Sequence, residues 1–293
     1  MQISQHLKGI LITTLGVLIL SPDALLIRLL NTDTWTAVFW RGLAFSGGVI
    51  IIMLLMYRQN IFKQFKKIGK AGLLIGLIFG LSSLCFTASI QNTNISNTLV
   101  LISTSPVFSS LFSWFFLKEK VHARTLIAMI VIFAAIALIM SNSYTTDGFL
   151  GDLAALGSAV FIATSFTLTR RHKEVNMVPA MAISGVVSAL IAALVIGQTA
   201  GSFHLDQEVI PYLILGGLVI STAFALITLG PRYISAPEVS LIMPLEIVFG
   251  SYLGWFFLAE KPSSTTIIGG IIVISTLTIH AWLSLKKNKL NLS

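Results

Sequence analysis

Val107 to Lys120 reads VFSSLFSWFFLKEK, and Val248 to Lys261 reads VFGSYLGWFFLAEK. Nine of the 14 aligned positions are identical, Trp, Glu and Lys among them, and the copies lie 141 residues apart. Identity at those residue types argues for duplication over a shared helix-end motif, and the offset divides the chain into halves at 1–145 and 146–293. Outward from both copies the sequence is a series of apolar runs with short polar breaks. A helix needs about 20 mostly apolar residues to cross the hydrocarbon core. Ten runs approach or meet that length, at 9–29, 34–57, 71–89, 94–117, 125–140, 149–169, 179–196, 209–229, 237–258 and 265–285. The expected fold is therefore all-α, a polytopic membrane protein of ten transmembrane helices in two five-helix repeats. An odd number of spans per repeat sets the second half upside down relative to the first, which makes the repeat inverted.

Composition leads the same way. Only 10% of the 293 residues are charged, against about 25% in an ordinary soluble domain. Hydrophobic residues make up 55%, and mean hydropathy is +0.91. The longest stretch without a strong apolar run, Arg58 to Lys70, is too short to build a core of its own. The first apolar run outlasts a signal h-region and lacks an Ala-x-Ala-like site, so it is expected to be retained. A net charge of +8 raises nucleic acid as a partner until the charges are placed. With the amino terminus inside, 16 of the 19 basic residues fall on cytoplasmic segments, and only Arg28, Arg41 and Lys261 do not. That asymmetry puts both termini in the cytoplasm and makes the bilayer, rather than nucleic acid, the partner of the charge. The lone Cys85 lies inside an apolar run, so neither a disulfide framework nor zinc spacing is present. No H-E-x-x-H, G-x-S-x-G or P-loop pattern occurs. The sequence thus shows no enzyme chemistry and implies no cofactor or metal.

Two apolar helices ending in W-x-x-L-x-E, Trp114 to Glu119 and Trp255 to Glu260, resemble the repeats of the drug/metabolite transporter superfamily, EamA group. Pro106 in TSPVF, Pro244 in MPLE, and Phe39 with Arg41 early in the second span fit the same resemblance. It covers the whole chain and implies helices 5 and 10 at the periphery, with a central cavity between the halves. It also implies secondary transport of small metabolites, with export of amino acids or similar amphipathic solutes as the leading expectation and a bacterial inner membrane as the location. Import of a similar solute stays open, as does a non-transporting membrane sensor. A small-molecule substrate and the lipid bilayer are the implied partners, a proton is the candidate coupling ion, and monomer and homodimer are both open.

Charged side chains inside a span cost roughly 2.5–3.5 kcal/mol on insertion scales, so each is a functional candidate. Asp23 follows Pro22 in the outer part of span 1, and Arg41 lies two turns into span 2 from the same side, which places them at similar depth. They pair either structurally or as a site in which Arg41 holds an anionic group and Asp23 a proton or an ammonium. Trp40 offers a stacking face beside them, with packing as the plainer reading. Glu246, about ten residues into span 9, is the strongest single candidate, a carboxyl suited to binding and releasing a proton as access alternates. Pro22, Pro106 and Pro244 each remove a backbone hydrogen bond within a span and are candidate hinges or site walls. Asn94, Asn97, Thr98, Leu101 and Ser105 form a stripe on span 4 that either faces a cavity or holds helices together. Asp152 and Glu238, closer to helix ends, are expected at the surface. Gly72, Gly76 and Gly80 recur every four residues and are read as packing.

Overall fold

In lipid every backbone polar group must be satisfied internally, and among the described residues regular structure is helical throughout. The computed structural model describes residues 5–117, 123–144, 148–199, 201–234, 238–239, 242–243 and 245–290. The first repeat contains α1 Gln5–Leu20, α2 Asp23–Leu29, α3 Thr34–Tyr57, α4 Ile61–Asn92, α5 Ile95–Ile102, α6 Ser105–Leu117 and α7 Ala123–Tyr144. The second contains α8 Phe149–Arg171, α9 Val178–Gln198, α10 Ile210–Ile227, α11 Leu245–Leu258 and α12 Ser264–Leu290. Seven stretches are long and apolar enough to cross a membrane: Gln5–Leu29, Thr34–Tyr57, Ile61–Asn92, Ile95–Phe112, Phe149–Arg171, Val178–Gln198 and Gln207–Arg232. Shorter apolar helices, Ile130–Ile139, Leu245–Leu258 and Ser264–Thr276, stand where the fifth, ninth and tenth spans are expected.

Local chemistry sets the helix ends. The Asp33 carboxylate accepts from the Trp35 and Thr36 amides at 3.0 and 3.1 Å and starts α3. Asn94 does the same for α5 through the Ser96 amide at 2.9 Å. Two expected spans are each a pair of helices. Span 1 breaks at Ser21 and Pro22, where the Leu18 carbonyl freed by the proline accepts from the Ser21 amide at 3.4 Å. Span 4 breaks at Ser103 and Thr104, whose hydroxyls turn back to the Val100 and Leu101 carbonyls, both at 2.6 Å. Pro106 then sits in the first turn of α6, where its missing amide costs nothing. The basic stretch before span 3 is helical as well. Ile61 and Ile68 dock into the core while Lys63, Lys66 and Lys67 stay exposed, and Gly69 bends the chain into the span at φ +53°.

The breaks carry the chain between two apolar clusters. Val17 and Leu20 of α1 belong to one, with Phe45, Phe79, Phe166 and Phe224 of α3, α4, α8 and α10. Ala24 and Ile27 of α2 belong to the other, with α5, α7, α11 and α12. α7 and α12 pack on each other at the edge of the molecule, with Ile127, Ile130, Ile268 and Ile271 more than half exposed. Between the halves, α4 lies on α9 through small residues. A β-carbon on Gly76 would stand 2.9 Å from the Ala180 carbonyl, and one on Gly80 2.8 Å from that of Ser184. Those two glycines serve close approach, as their spacing predicts.

Gly80→Leu is therefore expected to lower the thermal unfolding midpoint of the detergent-purified protein, by the equivalent of about 1–3 kcal/mol of overpacking. Gly47→Ala, at a helical position with nothing within 4 Å, is expected to leave the midpoint unchanged or slightly raised.

Candidate functional site

Asp23 opens α2 immediately after the Pro22 break, and its side chain is 2% exposed. Arg41 reaches it from α3, Nη2 to Oδ2 at 2.5 Å, with its own side chain 6% exposed. The other terminal nitrogen donates to Ser83 Oγ at 2.8 Å and Thr87 Oγ1 at 3.3 Å on α4. The guanidinium also lies over the Phe86 ring, 5.5 Å from its centroid. A buried charge pair is tolerated only when partners satisfy most of its hydrogen-bonding groups. Here they come from α2 and α4 to a cation on α3, so the three helices are locked together around it.

Glu246 lies in the first turn of α11, after its own backbone break at Met243, and is buried. Asp23, Arg41 and Glu246 line one small central cavity of about 30 Å³. Its apolar walls include Phe79, Phe86, Phe224, Ile102 and Met243. Ser82 and Ser158 close one side by joining α4 to α8 across the halves, hydroxyl to hydroxyl at 2.9 Å and each hydroxyl to the other residue's carbonyl at 3.0–3.1 Å. Three buried atoms of the charged residues have no partner: Asp23 Oδ1, Arg41 Nε and Glu246 Oε1.

The structure separates the remaining candidates from this cavity. Trp40 does not line it; its indole donates to the Phe203 carbonyl at 2.9 Å, in the loop after α9. Ser105 is buried at the start of α6 with an unpartnered hydroxyl, outside the cavity lining. Pro22 forms the break that presents Asp23, and Pro106 begins α6 after the second break. Pro244 lies outside the described residues. The span 4 stripe joins helices: Thr98 meets Ser89 at 2.7 Å, and Asn97 accepts from Thr266 and reaches both Asp152 oxygens at 3.5 Å. Asp152, expected at the surface, is fully buried and accepts from Thr93 Oγ1 at 2.8 Å. Glu238 is partly exposed, nearer the surface as expected, and lies 3.0 Å from His6 Nε2.

Sequence reasoning missed a second assembly. Arg28 Nε lies 2.8 Å from Glu260 Oε1, and Arg28 Nη2 donates to the Thr93 carbonyl at 2.7 Å. Glu260 Oε2 accepts from the Ile95 amide at 3.2 Å. The pair ties the end of α2 to the segment after α11 and borders an open polar vestibule lined also by Asn94, Asn97 and Lys261. Glu260 belongs to the repeated W-x-x-L-x-E motif, which was the one available signal. Ser82, Ser83 and Thr87 had no signal beyond hydroxyls in an apolar run.

Comparison with known proteins gives four matches. A family model described as the EamA-like transporter family matches residues 7–141 and 149–281. Solute carrier family 35 member G1 of Mus musculus is 29% identical over 261 residues, 80% of this chain and 68% of the mouse protein. Pseudopaline exporter CntI of Pseudomonas aeruginosa strain UCBPP-PA14 is 26% identical over 248 residues, 81% of this chain and 82% of its own. A solved crystal structure with 16% identity matches 95% of this chain and 98% of its own at a TM-score of 0.69, a likeness of fold alone.

Removing one member of the buried pair strands the other. Arg41→Met is expected to destabilise the purified protein by about 3–5 kcal/mol, read as a fall in thermal midpoint. Asp23→Leu combined with Arg41→Met removes both charges and is expected to regain most of that loss.

Proposed function

Since the chain belongs to the EamA-like transporter family, we propose that it is a secondary transporter exporting amino acids or similar small amphipathic solutes across a bacterial inner membrane. The family is one of transporters of small solutes, and the seven long apolar stretches make the chain a multi-pass membrane protein. The observation that carries the finer reading is the cavity between the halves, with the Asp23–Arg41 pair, Glu246 and their unpartnered polar atoms. Charged groups with unused hydrogen-bonding capacity in a dry interior are costly, and a solute or proton that uses them offsets that cost. The scaffold is ten helices in two inverted five-helix repeats, 1–145 and 146–293, with both termini in the cytoplasm. The halves rock about the cavity, so that it faces the two sides of the membrane in turn. Glu246 takes up and releases the coupling proton. Export is favoured by the similarity to a protein named an exporter.

In this reading Arg28 and Glu260 latch the outer side shut. Breaking a pair whose side chains are 24% and 21% exposed removes on the order of 1 kcal/mol, a roughly fivefold population shift. Glu260→Gln is expected to raise labelling of Ser82→Cys, in a Cys85→Ala background, by a membrane-impermeant maleimide applied from outside.

The reading itself is tested with purified protein in liposomes. Metabolite pools are screened by thermal shift, and stabilising solutes are followed as labelled flux at two internal pH values. Saturable, pH-dependent flux is expected, with the pH dependence absent in Glu246→Gln. Specific binding without flux under any gradient supports a sensor instead.

A further inference from the structure

The charged cavity is selective in which hydrogen-bonding groups remain free. Arg41 directs both terminal nitrogens at protein oxygens, on Asp23, Ser83 and Thr87, and the Phe86 ring covers its face. Ser82 and Ser158 are committed to each other. What remains among the fully buried atoms of these residues is two carboxyl oxygens, Asp23 Oδ1 and Glu246 Oε1, and the Arg41 Nε–H. Of the five guanidinium N–H groups three are used, so one Nη2–H is open as well. With both carboxyls ionised, formal charge favours a cation, two carboxylates around one guanidinium, and the free oxygens can accept more hydrogen bonds than the two open N–H groups supply.

An anionic solute that reaches the two open N–H groups of Arg41 does so beside both carboxylates, and gaining the rest of the guanidinium requires Arg41 to leave Asp23. The released aspartate would then be a second bare carboxylate beside Glu246 in a medium that screens poorly, which opposes the exchange. A protonated amine needs no such exchange. It carries only donors, it meets two oxygens that have none, and its charge opposes theirs. Phe79, Phe86 and Phe224 then receive an apolar body and add quadrupole attraction for a cation.

We propose that the cavity recognises a protonated amine on an apolar or aromatic body, held between Asp23 Oδ1 and Glu246 Oε1. Arg41 acts as the positioning residue that fixes Asp23, and its open N–H groups suit a neutral oxygen of the solute. The proposal rests on the transporter reading for the cavity's purpose, but binding alone measures it.

The test compares three probes with one aromatic body, 2-phenylethylamine, 3-phenylpropionate and 2-phenylethanol, by calorimetric titration of the full-length protein in detergent. The amine is expected to bind about tenfold or more tightly than either other probe. Glu246→Gln is expected to remove that advantage and Glu246→Asp to regain part of it, both at the unfolding midpoint of the unsubstituted protein. Carboxylate binding equal to the amine's, undetectable binding of all three probes, or amine affinity unchanged in a folded Glu246→Gln overturns the proposal. Labelled-probe flux in liposomes separates the two readings. Amine binding without flux sinks transport and leaves the amine site standing, whereas flux of the carboxylate but not the amine sinks the amine site and leaves transport standing.

Discussion

The contact of Arg41 with Asp23 is the constraint around which the membrane interior is organised. An unpaired charge in hydrocarbon costs more than most helix contacts return, so the pair must be kept together at the depth where it lies. Keeping it requires Pro22 to break span 1, because the break sets Asp23 in a new first turn facing α3. It also requires α4 to present Ser83 and Thr87 on one face, four residues apart, so that the second nitrogen is satisfied. Three helices thereby have fixed rotations about their axes, and the cavity is the space this leaves against α8, α10 and α11.

The interruption of span 1 is also where the chain leaves one apolar cluster for the other. Charged residues in the site thus sit at a seam between two cores rather than inside either. That location explains how two carboxyl groups and a guanidinium coexist with good packing. Each core is built from aliphatic and aromatic side chains, and the charged groups of the site gather where the cores meet. Glu246 follows the same rule in the other half, in the first turn after the break at Met243.

Much of this was legible in the sequence because lipid makes rules simple. Apolar run length located the seven stretches long enough to span, and the scarcity of charge singled out Asp23, Arg41 and Glu246, which the structure brings to one cavity. What was hidden is direction around a helix. Trp40 is adjacent to Arg41 in sequence, yet about 100° of helical rotation carries it to the Phe203 loop. Ser105 belongs to a stripe in which Asn97 and Thr98 bind neighbouring helices, and the break at Ser103 and Thr104 shifts the register on which the stripe was drawn. Asp152 was misjudged because depth was read from span length alone. It is near a helix end, but Thr93 and Asn97 cover it. Glu260 stood in the repeated motif, but its partner Arg28 is more than 200 residues away in sequence, and no spacing rule links them.

Contacts between the halves differ in what water can do to them. Along α9 the contact is steric. A β-carbon on Gly42 would stand 2.6 Å from the Gly185 carbonyl, and one on Gly76 2.9 Å from that of Ala180. Separating such surfaces opens a void that lipid or water must fill, at a cost that grows with the area parted. At the vestibule the contact is polar and borders open space: Arg28 with Glu260, beside an Asn-rich rim. Water replaces those bonds at small net cost, since each broken protein bond becomes a hydrated one. In the proposed alternating cycle this difference assigns the motion. The glycine seam along α9 stays closed and acts as the pivot, and the hydrated end at Arg28 and Glu260 is where the halves part.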